Sequence, residues 1–230
     1  MILSDKTTTI SDAIGKISDG ASIMVGGFGI PGTPFCLINE LVRKGPKNLT
    51  IIKNDANETG MGIDHLLKNG QVTRLITTHI GLNARAIALM NDGVITVEFC
   101  AQGILAERIR AGGAGLAGIL TDIGIDTELG DDKQHVTVNG RTQIVETALK
   151  ADFALIHADQ ADNFGNLGYV ATARNFNPLM AMAASTVIAE TEALVPLGEL
   201  TPDTIHTPGP FIDHVVELAE LTKEYAVVRR

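Results

Sequence analysis

Short runs of β-branched and aliphatic residues alternate with amphipathic stretches, a pattern typical of buried strands followed by helices. Helices are predicted at residues 34–44, 83–91 and 102–110, each with a glycine near its end. Strands are predicted at residues 22–25, 49–53, 74–77, 94–99, 153–157 and 186–189. This alternation predicts an open α/β fold, with a mainly parallel sheet and helices on both faces.

Two regions depart from this alternation. Residues 124–142 are polar and rich in turn formers, and the pair Asn139-Gly140 between two β-rich runs predicts a hairpin in a small antiparallel excursion. Near the end of the chain, apolar positions between Phe211 and Leu221 have helical spacing and predict a closing helix. No linker-like or repetitive stretch interrupts the chain, so residues 1–230 are predicted to form a single domain.

The charge and residue counts narrow the function. The 230 residues include 27 Asp and Glu against 18 Lys and Arg, and a net charge of −9 argues against nucleic-acid binding. Cys36 and Cys100 form no CxxC pair, and the six histidines show no HxH or HExxH spacing, so no metal site is predicted. The first residues show no secretory leader and no apolar run spans a bilayer, which predicts a cytoplasmic protein without membrane contact.

A glycine-rich turn joins the first predicted strand to the first long helix. Thr33 is predicted as the N-cap of that helix and Pro34 as its first residue. Such a turn exposes backbone N–H groups, and the helix N-terminus favours a phosphate or a carboxylate. The predicted ligand-binding residues are Gly26, Gly27, Phe28, Gly29, Ile30, Pro31 and Gly32.

The same turn contains a second possible motif. Gly27-x-Gly29-x-x-Gly32 matches a dinucleotide fingerprint, and Asp55 follows where a ribose-binding acid would lie. An NAD-dependent dehydrogenase is therefore one alternative, although Pro31 removes a backbone donor from the loop. A non-catalytic ligand-sensing domain of related fold is the other.

The longer run around the loop, residues 19–34, resembles the signature of the family I coenzyme A transferases. The resemblance continues through residues 101–115, 151–158, 162–167, 173–180 and 205–209. It implies the fold of that family and the function of its α (A) subunit, which transfers coenzyme A between short-chain acids such as acetate, acetoacetate and butyrate. It also implies coenzyme A and acyl-CoA as substrates, no permanently bound cofactor, and a β-subunit partner in an α2β2 or larger assembly.

The resemblance also implies where the nucleophile lies. In the family a glutamate of the β subunit, in a Ser-Glu-Asn/His-Gly type motif, forms a glutamyl-CoA thioester. No glutamate of this chain has that context, and Glu58 comes nearest to a glycine in Asn57-Glu58-Thr59-Gly60. Glu98 and Glu107 are predicted to have structural roles, the latter by pairing with Arg108 or Arg110 on an otherwise solvated helix face.

Two amides are the supporting catalytic residues that the resemblance implies. The family pattern places Asn54, after the second strand, and Gln102, after the fourth, beside the partner's glutamate. A neutral amide can donate a hydrogen bond to an oxyanion. One departure is Ala101, which stands where the family usually has proline.

The sequence also carries expectations for residues 79–83 and for Arg174. The resemblance implies that residues 79–83 line the acyl pocket and favour a monocarboxylate over a 3-oxoadipate-type dicarboxylate. A purely structural role for His79 is an equal alternative. For Arg174 two roles are open: it binds a phosphate group of the ligand, or it forms an ion pair that stabilises the fold or the subunit contact.

Overall fold

The computed structural model describes the backbone of residues 4–228 and the side chains of residues 4–225. Seven parallel strands form its main sheet, and a short eighth strand, β9 (Leu167–Gly168), pairs antiparallel with one of them. In spatial order the seven are β11 (His214–Glu217), β10 (Ala184–Val195), β8 (Ala151–Asp162), β1 (Ser22–Val25), β2 (Leu49–Ile52), β3 (Val72–Thr77) and β4 (Thr96–Phe99). The predicted parallel sheet is confirmed, and β9 pairs with β8, which is longer than predicted.

Helices cover both faces of this sheet. They are α1 (Ile10–Ile14), α2 (Phe35–Lys44), α3 (Asp64–Lys68), α4 (Ala84–Asn91), α5 (Gln102–Gly113) and α6 (Asn177–Ala183). Apolar residues of α1 to α4 pack in one core with Ile23, whereas those of α5 and α6 pack in a second core with Met24. Successive strand residues therefore serve opposite cores, and the strands are apolar on both faces because both are covered.

The start of α2 differs from the sequence prediction. The helix begins at Phe35, Pro34 occupies the N-cap position, and no side chain there caps the helix. The Thr33 hydroxyl donates to the Gly29 carbonyl at 2.7 Å. It therefore stabilises the preceding loop and does not cap the helix. The predicted end is confirmed, since Gly45 has a φ of 76° and its amide donates to the Leu41 carbonyl.

The predicted closing helix is wrong. The segment forms a single 3-10 turn at Gly209–Phe211 and then the edge strand β11, which pairs in parallel with β10. Val215 packs in one core and its neighbour Val216 in the other, as alternation along a strand requires. The apolar spacing fits a helix equally well, but two adjacent β-branched residues beside the open edge of β10 favour a strand.

The antiparallel excursion is confirmed as a three-stranded sheet. Its order is β5 (Gly118–Thr121), β7 (Arg141–Thr147) and β6 (His135–Val138). Asn139 and Gly140 form the two-residue turn between β6 and β7, with φ values of 51° and 75°. No helix within residues 4–228 is long and apolar enough to cross a bilayer.

Candidate active site

The carboxyl ends of β1 to β4 bring the predicted site residues to one edge of the sheet. The glycine loop, residues 26–34, follows β1, Asn54 follows β2, and Gln102 follows β4 as the first residue of α5. The exposed His79 follows β3, and its backbone forms an isolated parallel β-bridge with that of Asp55. Open α/β sheets bind ligands at this edge, and residues far apart in sequence meet there.

The glycine loop is held by its own hydrogen bonds and by side chains from other segments, among them Asn57, Asn175 and Asn177. Within it, the Phe28 amide donates to the Pro31 carbonyl at 3.1 Å, and the Thr33 amide donates to the Ile30 carbonyl at the same distance. Asn175 donates to the Pro31 carbonyl at 2.9 Å, and Asn177 to the Gly32 carbonyl at 3.1 Å. Contacts within the chain therefore fix the loop, while the Phe28 side chain remains 47% exposed.

The four glycines of the loop do not serve the same purpose. A Cβ on Gly26, Gly27 or Gly32 would lie within 2.3 Å of an atom of the chain itself, so these three are required for internal packing. Gly29 has a φ of 60°, and a Cβ there would meet no atom within 4 Å. Gly29 is thus the glycine at which a ligand could approach the backbone.

Asn54 and Gln102 are in direct contact. The Gln102 Nε2 donates to the Asn54 Oδ1 at 2.9 Å, which joins the ends of β2 and β4 across β3. Asn54 is fully buried, and its backbone carbonyl accepts from the Thr78 amide and hydroxyl. Gln102 is exposed. Its second Nε2 hydrogen has no acceptor among the described residues, so the pair ends in a donor at the sheet edge.

A buried ion pair lies beneath this edge. The Lys53 Nζ is fully buried, 3.5 Å from the Asp55 Oδ1, and has no hydrogen-bond acceptor in the described part of the chain. Asp55 accepts from the Gly29 amide at 2.8 Å and from the Asn54 Nδ2 at 3.0 Å. Burial alone would raise the pKa of Asp55, but the Lys53 charge and these donors hold it below its usual value. Asp55, which the sequence offered as a ribose-binding acid, therefore already has its carboxylate oxygens bonded to groups of this chain.

A second charged cluster, which the sequence did not suggest, lies at the start of α2. Glu190 on β10 accepts from the Leu37 amide at 2.8 Å and lies 2.9 Å from the His157 Nδ1 on β8. The Tyr225 hydroxyl contacts the Glu190 carboxylate, lies 2.8 Å from the Thr33 carbonyl oxygen, and accepts from the Phe35 amide.

Burial disfavours the charged form of His157, but hydrogen bonds to Glu190 and Glu192 outweigh it and raise the pKa of His157 to about 9. Burial and the Glu190 charge raise the pKa of Tyr225 well above its usual value. At neutral pH the cluster therefore contains a histidine cation beside a carboxylate. The only sequence signals were a histidine and a glutamate within apolar strands, 33 residues apart.

A cavity of about 330 Å³ lies beside this cluster, and His157 and Tyr225 form part of its wall. The Ile30–Gly32 part of the loop forms one wall, and the ionisable groups of the lining are His157, Asp159, Glu192 and Tyr225. Burial and the nearby Glu192 charge raise the pKa of Asp159. Two carboxyl groups in the wall make this cavity unfavourable for the phosphates or carboxylate of an anionic ligand.

Glu98, Glu107 and Arg108 form ion pairs. Glu98 accepts from Arg108 at 2.8 Å and also pairs with Arg74, and Glu107 pairs with Arg110 at 2.8 Å. The prediction of a solvated helix face is wrong for Arg108, which is buried and donates to the Thr147 carbonyl, joining α5 to β7. Arg174 is exposed in the 3-10 turn Ala171–Arg174.

Comparisons with known proteins identify the family. The family model described as Coenzyme A transferase matches residues 7–218. A Bacillus subtilis (strain 168) protein described as the probable alpha subunit of a coenzyme A transferase is 50% identical over 92% of this chain and 93% of its own length. The alpha subunit of the acetate CoA-transferase of Escherichia coli (strain K12) is 46% identical over 92% of this chain and 96% of its own.

A solved structure supports the fold. An acyl-CoA transferase of Escherichia coli O157:H7, in a thioester complex with CoA, matches with a TM-score of 0.83 and 24% identity over 94% of this chain. This chain spans 48% of that longer protein. Neither the dehydrogenase nor the ligand-sensing alternative is supported by these comparisons, because the matching relatives are coenzyme A transferases. The chain belongs to the coenzyme A transferase family and resembles those members that are named as alpha subunits.

Proposed function

We propose that this chain acts as one domain and supplies half of a shared active site, with a β subunit supplying the other half. The Asn54–Gln102 pair carries the proposal, because it ends in an exposed donor at the carboxyl edge, while Glu98 and Glu107 are held in ion pairs. Relatives at 46% and 50% identity are named as alpha subunits, which supports a two-chain enzyme.

The reaction is a transfer of coenzyme A between short-chain carboxylic acids. A β-subunit glutamate carboxylate attacks the acyl-CoA thioester carbonyl, and the CoA thiolate leaves as a mixed anhydride forms. The thiolate then attacks the glutamyl carbonyl and releases the first acid, leaving a glutamyl-CoA thioester. A second acid reverses both steps, so the thioester bond energy is conserved and no permanently bound cofactor takes part.

Each of these steps passes through a tetrahedral oxyanion, which requires a donor already in place. Gln102 supplies that donor through its second Nε2 hydrogen, because its first Nε2 hydrogen is donated to the Asn54 Oδ1. The glycine loop lies at the same edge, and the backbone at Gly29 is where the acyl-CoA approaches. The acidic cavity beside Ile30–Gly32 takes no part in binding the CoA phosphates.

The β subunit covers this edge. Three exposed apolar side chains lie at the carboxyl ends of β1, β3 and β4: Phe28 is 47% exposed, Leu82 66% and Phe99 37%. Chains that share an active site are usually permanent complexes that bury roughly 2,000 Å² or more. We expect an α2β2 or larger assembly with these side chains in the interface.

Exchange between acetyl-CoA and acetoacetate or butyrate tests the proposal. We expect no exchange with the purified chain alone and restored exchange when the β subunit is added. Relatives of similar identity include one chain of a 3-oxoadipate CoA-transferase, so 3-oxoadipate belongs in the same panel, and we expect it to be the poorer acceptor. Exchange by the isolated chain would contradict the shared site.

A further inference from the structure

Asp55 connects the glycine loop to the amide pair through one carboxylate. Its Oδ2 accepts from the Gly29 amide at 2.8 Å and from the Asn54 Nδ2 at 3.0 Å. Its Oδ1 accepts from the Asn57 amide at 2.8 Å and faces the Lys53 Nζ at 3.5 Å. Three donors and one cation thus converge on a side chain that is 4% exposed.

The charge of Asp55 determines the direction of the hydrogen bonds that follow. An ionised carboxylate only accepts, so Asn54 must present its NH₂ group to Asp55 and its oxygen to Gln102. Gln102 must then present its NH₂ group to Asn54, as the 2.9 Å contact shows. Because Asn54 is fully buried, water cannot replace either partner.

We propose that Asp55 and Lys53 are positioning residues, which orient the Asn54–Gln102 pair so that Gln102 offers a hydrogen, and not its carbonyl oxygen, to the reacting acyl oxygen. This inference rests on the proposed function of Gln102. If residue 55 were a neutral amide it could donate to Asn54, both amides could turn over, and the Gln102 oxygen would face the developing negative charge.

Lys53 keeps the carboxylate ionised. Its Nζ is fully buried and faces only Asp55 among the acceptors described; burial lowers the pKa of Lys53, and the Asp55 charge opposes that shift and favours the ammonium form. A buried carboxylate without a compensating cation would take up a proton and become a donor itself. Lys53 therefore acts through Asp55 and Asn54, and it touches no substrate.

The matched test is a double-mutant cycle in the assembled enzyme. The pair Lys53→Met with Asp55→Asn removes both charges and leaves no unpaired buried ion. We expect it to lower kcat for acetyl-CoA exchange by about tenfold to a hundredfold, with a change in KM below about threefold. In a Gln102→Ala background the same pair should lower kcat by less than about threefold, because its effect passes through Gln102.

Asp64→Asn is the control. Asp64 is a fully buried carboxylate that accepts from the Gly60 amide at 2.7 Å and from Arg85 at 3.1 Å, without contact to Asn54 or Gln102. Its kcat should stay within about twofold of wild type. If the charge-removing pair fails to assemble, Lys53→Met alone takes its place in the cycle with the same expectations, because the remaining Asp55 carboxyl takes up a proton and leaves no unpaired buried ion.

Two results would overturn the proposal: an unchanged kcat, or a kcat loss that is fully additive with Gln102→Ala. Failure of both the double variant and Lys53→Met to assemble, while Asp64→Asn assembles, would assign the ion pair to folding and overturn the proposal as well. If the wild-type complex transfers no coenzyme A at all, the proposed function fails first, so the two failures are distinguishable.

Discussion

The glycine loop between β1 and α2 is held by two buried charged clusters that differ in what lies beyond them. In the first, Asp55 accepts from the Gly29 amide and continues through Asn54 to the exposed Gln102. In the second, Glu190 accepts from the Leu37 amide and continues to His157 and Tyr225, which are both buried.

The difference separates two uses of the same chemistry. Both carboxylates satisfy backbone amides that would otherwise be buried without an acceptor. The Asp55 cluster ends in a donor at the sheet edge, so its loss should appear in turnover. The Glu190 cluster ends in the first turn of α2, where it replaces a local cap, so its loss should appear in stability.

The largest expected effect on stability comes from Glu190→Ala. This change leaves the Leu37 amide, the His157 cation and the Tyr225 hydroxyl without their shared acceptor. Breaking a buried charged pair by removing one partner typically costs about 3–5 kcal/mol. Urea unfolding of the assembled enzyme should report a loss of that order, whereas kcat per folded molecule should change little. A large loss of kcat at unchanged stability would remove the distinction between the two clusters.

The next effect is a pH dependence from the same cluster. The pKa of His157 is raised from its ordinary 6.5 to about 9 in the folded state, by Glu190 and Glu192 against the effect of burial. Because this pKa is higher in the folded than in the unfolded state, protonated His157 stabilises the folded protein in full below pH 6.5. This contribution to the free energy of unfolding is lost as the pH rises to about 9. That difference corresponds to roughly 3 kcal/mol.

The measurement is the free energy of unfolding at about pH 6 and about pH 9.5, in wild type and in His157→Gln. The groups that face His157 are Glu190, Glu192 and Tyr225, and Asp159 lies in the same cavity wall. The variant lacks the titrating imidazole, so its stability should fall less over this range. Equal pH dependence in both proteins would mean that His157 is not charged in the folded state.

These clusters also show how far a sequence can predict this molecule. Six strands of the main sheet, the helices α2, α4 and α5, and the hairpin follow from local apolar spacing and from Asn139-Gly140, whereas α1, α3, α6 and β11 are not predicted. Asn54 and Gln102 are predicted by resemblance, and the structure brings them into contact; their catalytic role stays a prediction. Glu190 and His157 meet because β8 and β10 pair along most of their length, and no local pattern encodes that meeting.

Two mistakes have the same origin. The spacing of segment 211–221 predicts a helix, but the open edge of β10 pairs with it as a strand. Arg108 is predicted on a solvated face, but β7 of the small sheet covers it. In both cases a partner that is distant in the sequence decides the outcome, and local propensity is overruled.

The smallest expected effect on stability is that of Gly29→Ala. A Cβ at Gly29 meets open space but must adopt a φ of 60°, which costs roughly 1–2 kcal/mol. Gly45→Ala is the matched control, because Gly45 has a φ of 76°, faces open space, and lies at the other end of α2. Both should lose similar stability in urea unfolding.

Only Gly29→Ala should also weaken transfer, by raising KM for acyl-CoA, because the new methyl group lies where the ligand approaches the backbone. If both variants transfer coenzyme A like wild type, the loop serves packing alone, and the prediction that acyl-CoA approaches the backbone at Gly29 is wrong.

The position of the covalent intermediate tests the central claim, the shared active site, most directly. The assembled enzyme is treated with acyl-CoA and then with borohydride, which reduces a glutamyl thioester, and each chain is analysed by mass spectrometry. We predict a modified glutamate on the β subunit, with none on this chain. An adduct on Glu58, Glu98 or any other glutamate of this chain would contradict the account and make this subunit the one that carries the nucleophile.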